Sequence, residues 1–177
     1  SREIGGHLPS AMIRFDVSAL LKAHMGQSFT LNVDTGSLEL GELKVDYLRG
    51  DVRVFRIQNG LYVEGTVESR LWLECVRCLE PFAAPIVLKL EETFRLPESS
   101  PKPDMPYAIN DDGWLDLAPL LREQAWVAIP IKSLCRLDCE GLCAQCGANL
   151  NHESCTCEDM KIDPRMATLK ELLQSRG

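Results

Sequence analysis

Apolar and polar positions alternate through most of the first half of the chain, and a period of two is typical of β-strands that bury one face. The alternation is strongest from residue 42 onward, where residues 52–57 and 61–73 form two such segments. Residues 86–94 continue the pattern, and shorter segments occupy residues 12–17 and 28–33. We therefore expect an antiparallel sheet, either curled or closed as a small barrel.

A hairpin is predicted where Asn59 and Gly60 separate the two strongest segments. Asn-Gly is a preferred pair for a two-residue hairpin turn, because both turn positions have a positive φ that these residues tolerate. The second strand of this hairpin would run through Leu73 and carry Cys75 and Cys78 at its end.

Helical periodicity is confined to three shorter segments. We expect a short helix at residues 18–24, a longer one at residues 116–127 that ends before Pro130, and a C-terminal one from residue 163. The predicted capping residues are Ser18, Asp116 and Asp163, the last followed by Pro164 at the first helical position. The apolar stripes of the two longer helices are expected to pack into the core: Leu117, Leu120, Leu121, Ala125 and Ala128, then Met166, Leu169, Leu172 and Leu173.

A proline-rich stretch divides the chain. Residues 97–106 contain four prolines among serines and charged residues, which favours a connector over a strand or a helix. We therefore predict a β-rich domain at residues 12–96 with the first cysteine pair, a connector at 97–113, and a helical and zinc-binding region at 114–177. The fold class is α+β: an antiparallel β-sheet or small barrel, then a helix, a zinc-knuckle cysteine cluster and a C-terminal helix.

The cysteines are grouped more tightly than a disulfide framework requires. Six of the eight lie in residues 135–157, and the other two form the pair Cys75-Val-Arg-Cys78. Two thiolates three residues apart can bind one ion from a single turn, and the glycine of Cys143-Ala-Gln-Cys146-Gly147 allows the bend under the metal. The candidate zinc ligands are Cys75, Cys78, Cys135, Cys139, Cys143, Cys146, Cys155 and Cys157.

Eight thiolates suit two four-coordinate structural zinc sites. The division that we favour has one local site, with Cys143 and Cys146 bound together with Cys155 and Cys157. The long-range site would then join the first pair to Cys135 and Cys139 and lock the two halves of the chain together, because loop closure costs little more for a longer loop. A swapped pairing and a single zinc site both remain open, as does a role for His152 as a ligand. Three cations lie near the long-range site and could donate hydrogen bonds to its sulfur atoms or be merely solvated: Arg77, Lys132 and Arg136.

Structural disulfides and redox-active thiols are the alternatives to metal. Disulfides need an oxidising compartment, and no charged-then-apolar leader is visible at the start of the printed sequence. A redox-active pair should open a helix, whereas Cys78 runs into Leu79-Glu80-Pro81, a poor helix start. We therefore expect a cytoplasmic, metal-binding protein.

The net charge and the absence of certain motifs reduce the number of functional classes to consider. The formal net charge is −7, and two four-thiolate zinc sites would take it to about −11, which excludes binding of nucleic acid by bulk electrostatics. No apolar run is long enough to span a membrane. Neither a catalytic zinc motif nor a phosphate-binding loop occurs, so we expect no enzyme activity and no small-molecule substrate.

Four segments together resemble the YceD family, the large-subunit ribosomal RNA accumulation proteins of bacteria and plastids. They are residues 73–82, 129–131, 138–151 and 163–165, and the likeness extends from Leu71 to Leu173. The resemblance implies a non-enzymatic role in the synthesis, processing or stability of large-subunit (23S) ribosomal RNA, and hence in ribosome biogenesis. It also implies a partner in the large-subunit precursor, either a protein or the rRNA itself.

The acidic balance favours contact through a ribosomal protein or another assembly factor, although direct contact with RNA through a local basic patch remains open at this stage. A second interpretation is a zinc-ribbon-like adaptor in transcription or another complex with no ribosomal role.

Overall fold

A computed structural model describes residues 13–157 of the 177-residue chain, apart from residues 98, 99, 101, 102 and 104. The C-terminal helix predicted from residue 163 therefore lies outside the described residues. In chain order the elements are β1 (Arg14–Asp16), α1 (Ser18–Leu21), β2 (Ser28–Thr35), β3 (Leu38–Leu40), β4 (Leu43–Ile57), β5 (Gly60–Glu74), β6 (Pro81–Arg95), β7 (Tyr107–Ala108), β8 (Trp114–Asp116) and α2 (Ala118–Ala128).

A six-stranded sheet forms the body of the protein. Its order is β2-β4-β5-β6-β7, and β3 pairs with the beginning of β4 on the same edge as β2. All neighbours are antiparallel except the short β6–β7 pair. Within the described residues, β2 and β7 are the two ends of this order, so the sheet is open rather than closed as a barrel. The alternation predicts β4, β5 and β6 correctly, because each has one buried face.

The hairpin between β4 and β5 differs from the prediction by one residue. Ile57 pairs with Gly60, so the two loop residues are Gln58 and Asn59. Neither Asn59 nor Gly60 has a positive φ. Gly60 is needed for a different reason, because a Cβ atom at this position would overlap the carbonyl oxygen of Phe94 in β6. The predicted turn is therefore wrong, and the glycine permits close approach of two strands instead.

Both described helices begin in the same way, one residue away from the predicted caps. The N-cap positions are Val17 and Leu117, and α1 ends at Leu21 rather than at residue 24. An aspartate two residues before each helix accepts the first backbone N–H: Asp16 Oδ1 that of Ser18 and Asp116 Oδ1 that of Ala118, both at 2.9 Å. Hydrogen bonds from Ser18 also lower the pKa of Asp16. The predicted capping aspartate of α2 thus acts from the end of β8.

One hydrophobic core lies between the inner face of the sheet and the two helices. It contains strand residues such as Val52 and Leu90 together with Leu120 and Leu121 of α2, all fully or almost fully buried. The β1–β8 pair contributes Leu115 to the same core. The residues on both sides of the predicted connector therefore share one core, while the predicted domain boundaries stay a prediction.

None of the helices in the part of the chain that the structure describes is long and apolar enough to cross a membrane.

Candidate metal centre

The eight cysteine thiols form two compact groups of four. The inner group contains Cys75, Cys78, Cys135 and Cys139, and the outer group contains Cys143, Cys146, Cys155 and Cys157. Within each group all four sulfur atoms lie within 4.8 Å of one another. This is the division with one long-range and one local group that we favour from spacing, rather than a swapped pairing.

The sulfur spacing matches a tetrahedral metal site and not a disulfide. Cys75 and Cys139 Sγ are 3.8 Å apart, and Cys78 and Cys135 Sγ are 3.7 Å apart. Zinc–sulfur bonds of about 2.3 Å place the corners of a tetrahedron about 3.8 Å apart, whereas a disulfide bond is about 2.05 Å long. All eight cysteines are free thiols.

The first half of the inner group sits on the turn between β5 and β6. The backbone N–H of Cys75 donates to the carbonyl oxygen of Glu80 at 3.0 Å, and that of Leu79 donates to Cys75 at 2.9 Å. Leu79 has a φ of 59°, the positive region that usually requires glycine. This tight turn points both sulfur atoms to one side, which is what two ligands of a shared ion require.

The second half comes from the chain after α2, which is hydrogen-bonded to the β5–β6 turn. Val76 N–H donates to the Ser133 carbonyl at 2.9 Å, and Leu142 N–H donates to the Arg77 carbonyl at 3.2 Å. The Arg77 side chain also donates to the Cys139 carbonyl at 2.7 Å. These contacts bring together segments about sixty residues apart and bury the inner thiols: Cys75, Cys78 and Cys139 are at most 3% exposed.

The outer group is built on the next turn of the chain. Gly147 N–H donates to the Cys143 carbonyl at 2.9 Å, and Gly147 has the positive φ of 76° expected from the knuckle pattern. A single β-bridge between Leu142 and Asn149 closes the base of this loop. Cys146 and Cys157 are exposed, so the outer group is more open to solvent than the inner one, in which Cys135 is half-buried and the other three thiols are buried.

The thiols of the inner group cannot all ionise together without a cation. Burial raises the pKa of Cys75, but hydrogen bonds from the backbone N–H groups of Cys78, Cys135 and Arg77 outweigh it and lower the value to about 6. The backbone N–H of Glu80 favours the Cys78 thiolate, yet burial and the neighbouring thiols raise its pKa to about 12. One thiolate forms readily and then opposes the ionisation of the neighbouring thiol, because like charges repel at this distance.

The outer group shows the same pattern. Hydrogen bonds from the backbone N–H groups of Cys146 and Gln145 lower the pKa of Cys143 to about 6. Proximity to Cys146, then burial, raises the pKa of Cys157 to about 12. A divalent cation would remove this repulsion, and soft thiolate donors suit zinc. The donor sets of both groups therefore fit the predicted metal, although binding itself stays a prediction.

Among the described hydrogen bonds, the side chains of Arg77 and Arg136 have partners other than sulfur. Arg77 donates to a carbonyl, and Arg136 donates to the side chain of Asn151 at 2.9 Å. His152 lies outside both groups and contacts the Glu80 carboxylate through Nε2 at 3.1 Å. The structure therefore does not support His152 as a ligand.

Asn151 is the neighbour that sequence reasoning missed. Its Nδ2 atom lies 3.4 Å from Cys139 Sγ, the distance of a hydrogen bond to sulfur. Asparagine tolerates tight turns, so the sequence around Asn149 and Asn151 predicts a loop but no contact with sulfur. The one signal in the sequence is that both asparagines lie within residues 138–151, a segment that resembles the family. The contact between Asn151 and Cys139 could not be predicted, because it depends on how the two cysteine groups pack.

The fold and the site together define an open antiparallel β-sheet protein with two four-cysteine centres, one buried at the end of a hairpin and one beside it. The family model described as "Large ribosomal RNA subunit accumulation protein YceD" matches residues 63–173, which include every one of these cysteines. The chain therefore belongs to the YceD family.

Curated relatives extend the match toward the N-terminus. An uncharacterized protein of Mycobacterium tuberculosis is 31% identical over 172 residues, which cover 95% of this chain and 77% of that protein. The chloroplastic large ribosomal RNA subunit accumulation protein YCED homolog 1 of Zea mays is 25% identical over 142 residues, or 63% of this chain and 48% of the relative. No solved structure gives a significant match to the chain.

Proposed function

We propose that this protein is a non-enzymatic zinc-binding factor that supports the synthesis, processing or stability of large-subunit (23S) ribosomal RNA. The observation that carries the proposal is the pair of four-thiol groups within the segment that matches the family. The family description supports the link to large-subunit rRNA, and the geometry of the sulfur atoms supports the proposed metal binding.

The metal role that we propose is structural. The eight residues named above would hold two zinc ions, and four thiolates fill a tetrahedral ion and leave no position for water or substrate. Each ion would join two chain segments: the β5–β6 turn and the loop at residues 133–139 for the inner group, and the Cys143 turn and residues 155–157 for the outer group. Zinc bound by four thiolates supplies on the order of 10 kcal/mol at neutral pH, more than enough to order such loops.

The loops around the inner group form the surface that we propose for the partner. Val76, Leu79, Ile131 and Leu137 are all exposed there. Two of the nearby arginines already have hydrogen-bond partners, and Glu74, Glu80 and Asp138 are exposed nearby. An apolar surface with mixed charge suits a protein component of the large-subunit precursor better than bare RNA.

Depletion with complementation tests this function. Cells that lack the protein should show a lower ratio of mature large-subunit to small-subunit rRNA, and the wild-type chain should restore it. The variant Cys75→Ser/Cys78→Ser should contain about one zinc less per chain and fail to restore the ratio. Glu68→Gln, a change at an exposed residue of β5 outside the proposed partner surface, should behave as wild type. A ratio that does not respond to depletion would refute the ribosomal role.

The adaptor interpretation rests on the same exposed apolar surface together with the acidic charge of the chain. Affinity capture separates the two functions. Particles of the large subunit among the captured partners support the ribosomal role, whereas a transcription complex without ribosomal components supports the adaptor.

A further inference from the structure

The side chain of Asn151 connects the loop of the outer group to a thiol of the inner group. It lies in the outer loop, between Cys146 and Cys155, yet its Nδ2 donates to Cys139 Sγ of the inner group at 3.4 Å. Its Oδ1 accepts the backbone N–H of Glu140 and a guanidinium N–H of Arg136, both at 2.9 Å. One amide therefore contacts an inner ligand and the backbone next to it.

The outer loop itself holds this side chain in position. Asn149 Oδ1 accepts the backbone N–H of Asn151 at 3.1 Å and its Nδ2 at 2.8 Å. The Asn149 carbonyl in turn accepts the backbone N–H groups of His152 and Glu153. The position of the amide thus depends on the fold of residues 149–153, which lie between the two ligand pairs of the outer group.

The two cysteine groups differ in solvent exposure, and this difference affects how readily each would exchange a metal ion. Three of the inner thiols are at most 3% exposed and Cys135 is half-buried, whereas in the outer group two thiols are half-buried and two, Cys146 and Cys157, are exposed. A shallow groove along residues 150–155 and Glu140 opens the same side to solvent. A chelator or a thiol reagent therefore reaches the outer group first.

We propose that the outer group is an exchangeable metal centre whose occupancy controls, through Asn151, how long the inner group retains its metal. With the outer metal bound, the loop holds the amide against Cys139. Without that metal, the loop is no longer tied at Cys155 and Cys157, and Cys139 Sγ loses the N–H that Asn151 donates to it. The proposal rests on the metal binding proposed above.

Such outer partners of metal ligands matter energetically. A hydrogen bond to a ligand orients it and stabilises its charged form, and removal of such a partner typically weakens metal binding 10- to 100-fold. The N–H of Asn151 donates to sulfur itself, so its loss acts directly on the thiolate. The contact between His152 and Glu80 also spans the two loops, but both side chains are exposed, so we assign it a small contribution.

Zinc release into an excess of a chromogenic chelator tests the coupling in the full-length protein loaded with zinc. The wild type should release two zinc ions per chain in a fast outer phase and a slow inner phase. Asn151→Ala should accelerate the slow phase about 10-fold or more. Cys155→Ser/Cys157→Ser should retain one zinc, and its single phase should be accelerated similarly.

The combined variant distinguishes coupling from two independent effects. If Asn151 transmits the state of the outer loop, adding Asn151→Ala to Cys155→Ser/Cys157→Ser should accelerate release little further. Accelerations that multiply, or a slow phase unchanged by Asn151→Ala, would overturn the proposal.

Two further variants serve as controls for the role of the Asn151 N–H. Asn151→Asp keeps the acceptor for Glu140 and Arg136 but lacks the N–H toward Cys139, and should accelerate the slow phase at least as much as Asn151→Ala. Asn32→Ala removes a similar amide hydrogen bond, to Asp51 on the sheet, and should leave both phases unchanged.

Far-ultraviolet circular dichroism of each variant checks that the β-sheet is still folded. Wild-type protein with fewer than two zinc ions would contradict the metal proposal as well, whereas two ions with unaltered release contradict the coupling alone.

Discussion

The two cysteine turns reach the same backbone geometry with different residues. In each, the residue after the second cysteine donates its N–H to the carbonyl of the first at 2.9 Å and has a positive φ, 76° at Gly147 and 59° at Leu79. Among the described residues other than glycine, Leu79 alone has a positive φ. Glycine marks the outer turn in the sequence, but a leucine gives no such signal, so the matching geometry of the inner turn could not be predicted.

Exchanging these two residues tests the strain. A residue other than glycine in this conformation costs about 1–3 kcal/mol, partly offset by the greater freedom of glycine in the unfolded chain. We expect Leu79→Gly to be neutral or stabilising by up to about 1 kcal/mol and Gly147→Leu to be destabilising by about 1–2 kcal/mol. Chemical unfolding of the zinc-loaded protein measures both. A Cβ at Gly147 would contact nothing within 4 Å, so a loss there reports backbone strain rather than a clash.

At the level of the elements, glycines set how closely β4 and β5 approach. Gly65 of β5 pairs with Val52 of β4, and a Cβ at Gly65 would lie 2.5 Å from the Asp51 carbonyl oxygen. A Cβ at Gly50 would overlap the carbonyl oxygen of Thr66 in the same way. The alternation of apolar residues predicts both strands, but it does not reveal which glycines serve close packing, because that depends on the register across the pair.

Gly65→Ala tests this close approach. The added methyl group must displace backbone atoms of β4, so we expect a loss of about 1–3 kcal/mol in the free energy of unfolding. Gly36→Ala is the matched control, since a Cβ there would contact nothing within 4 Å, and its effect should stay within about 0.5 kcal/mol. Urea unfolding with an unchanged m-value measures both. Equal stabilities for the two variants would show that the strands can separate without cost.

For the molecule as a whole, the hydrophobic core and the cysteine groups are separate sources of order. The main core includes residues from the sheet and from α2, while the buried inner cysteines form their own small cluster with partners such as Phe82 and Leu142. The sequence predicts the sheet and the α2 segment, because periodicity is a local property, and cysteine spacing favours the observed division without excluding a swapped pairing. It does not predict the shared core across the proline-rich stretch or the contact of Asn151, because both arise from tertiary packing.

Removal of the metal should therefore loosen one part of the protein and spare the other. With a strong chelator we expect amide hydrogen exchange to increase at residues 75–79 and 133–157, while β4 and the middle of β5 stay protected by the main core. Restored protection after zinc is added back is the control for reversibility. Uniform loss of protection across the sheet would show that the metal stabilises the whole fold instead.

The order of the cysteines along the chain also sets an order in time. Cys78 leaves the translating ribosome 57 residues before its neighbour Cys135, which takes roughly 3–11 s at typical rates of synthesis. During that interval the inner group has only two of its four thiols, Cys75 and Cys78. These two thiols can then react with other metal ions and with oxidants. The hairpin is thus made first, the inner group is completed second, and the outer group beside it is completed last.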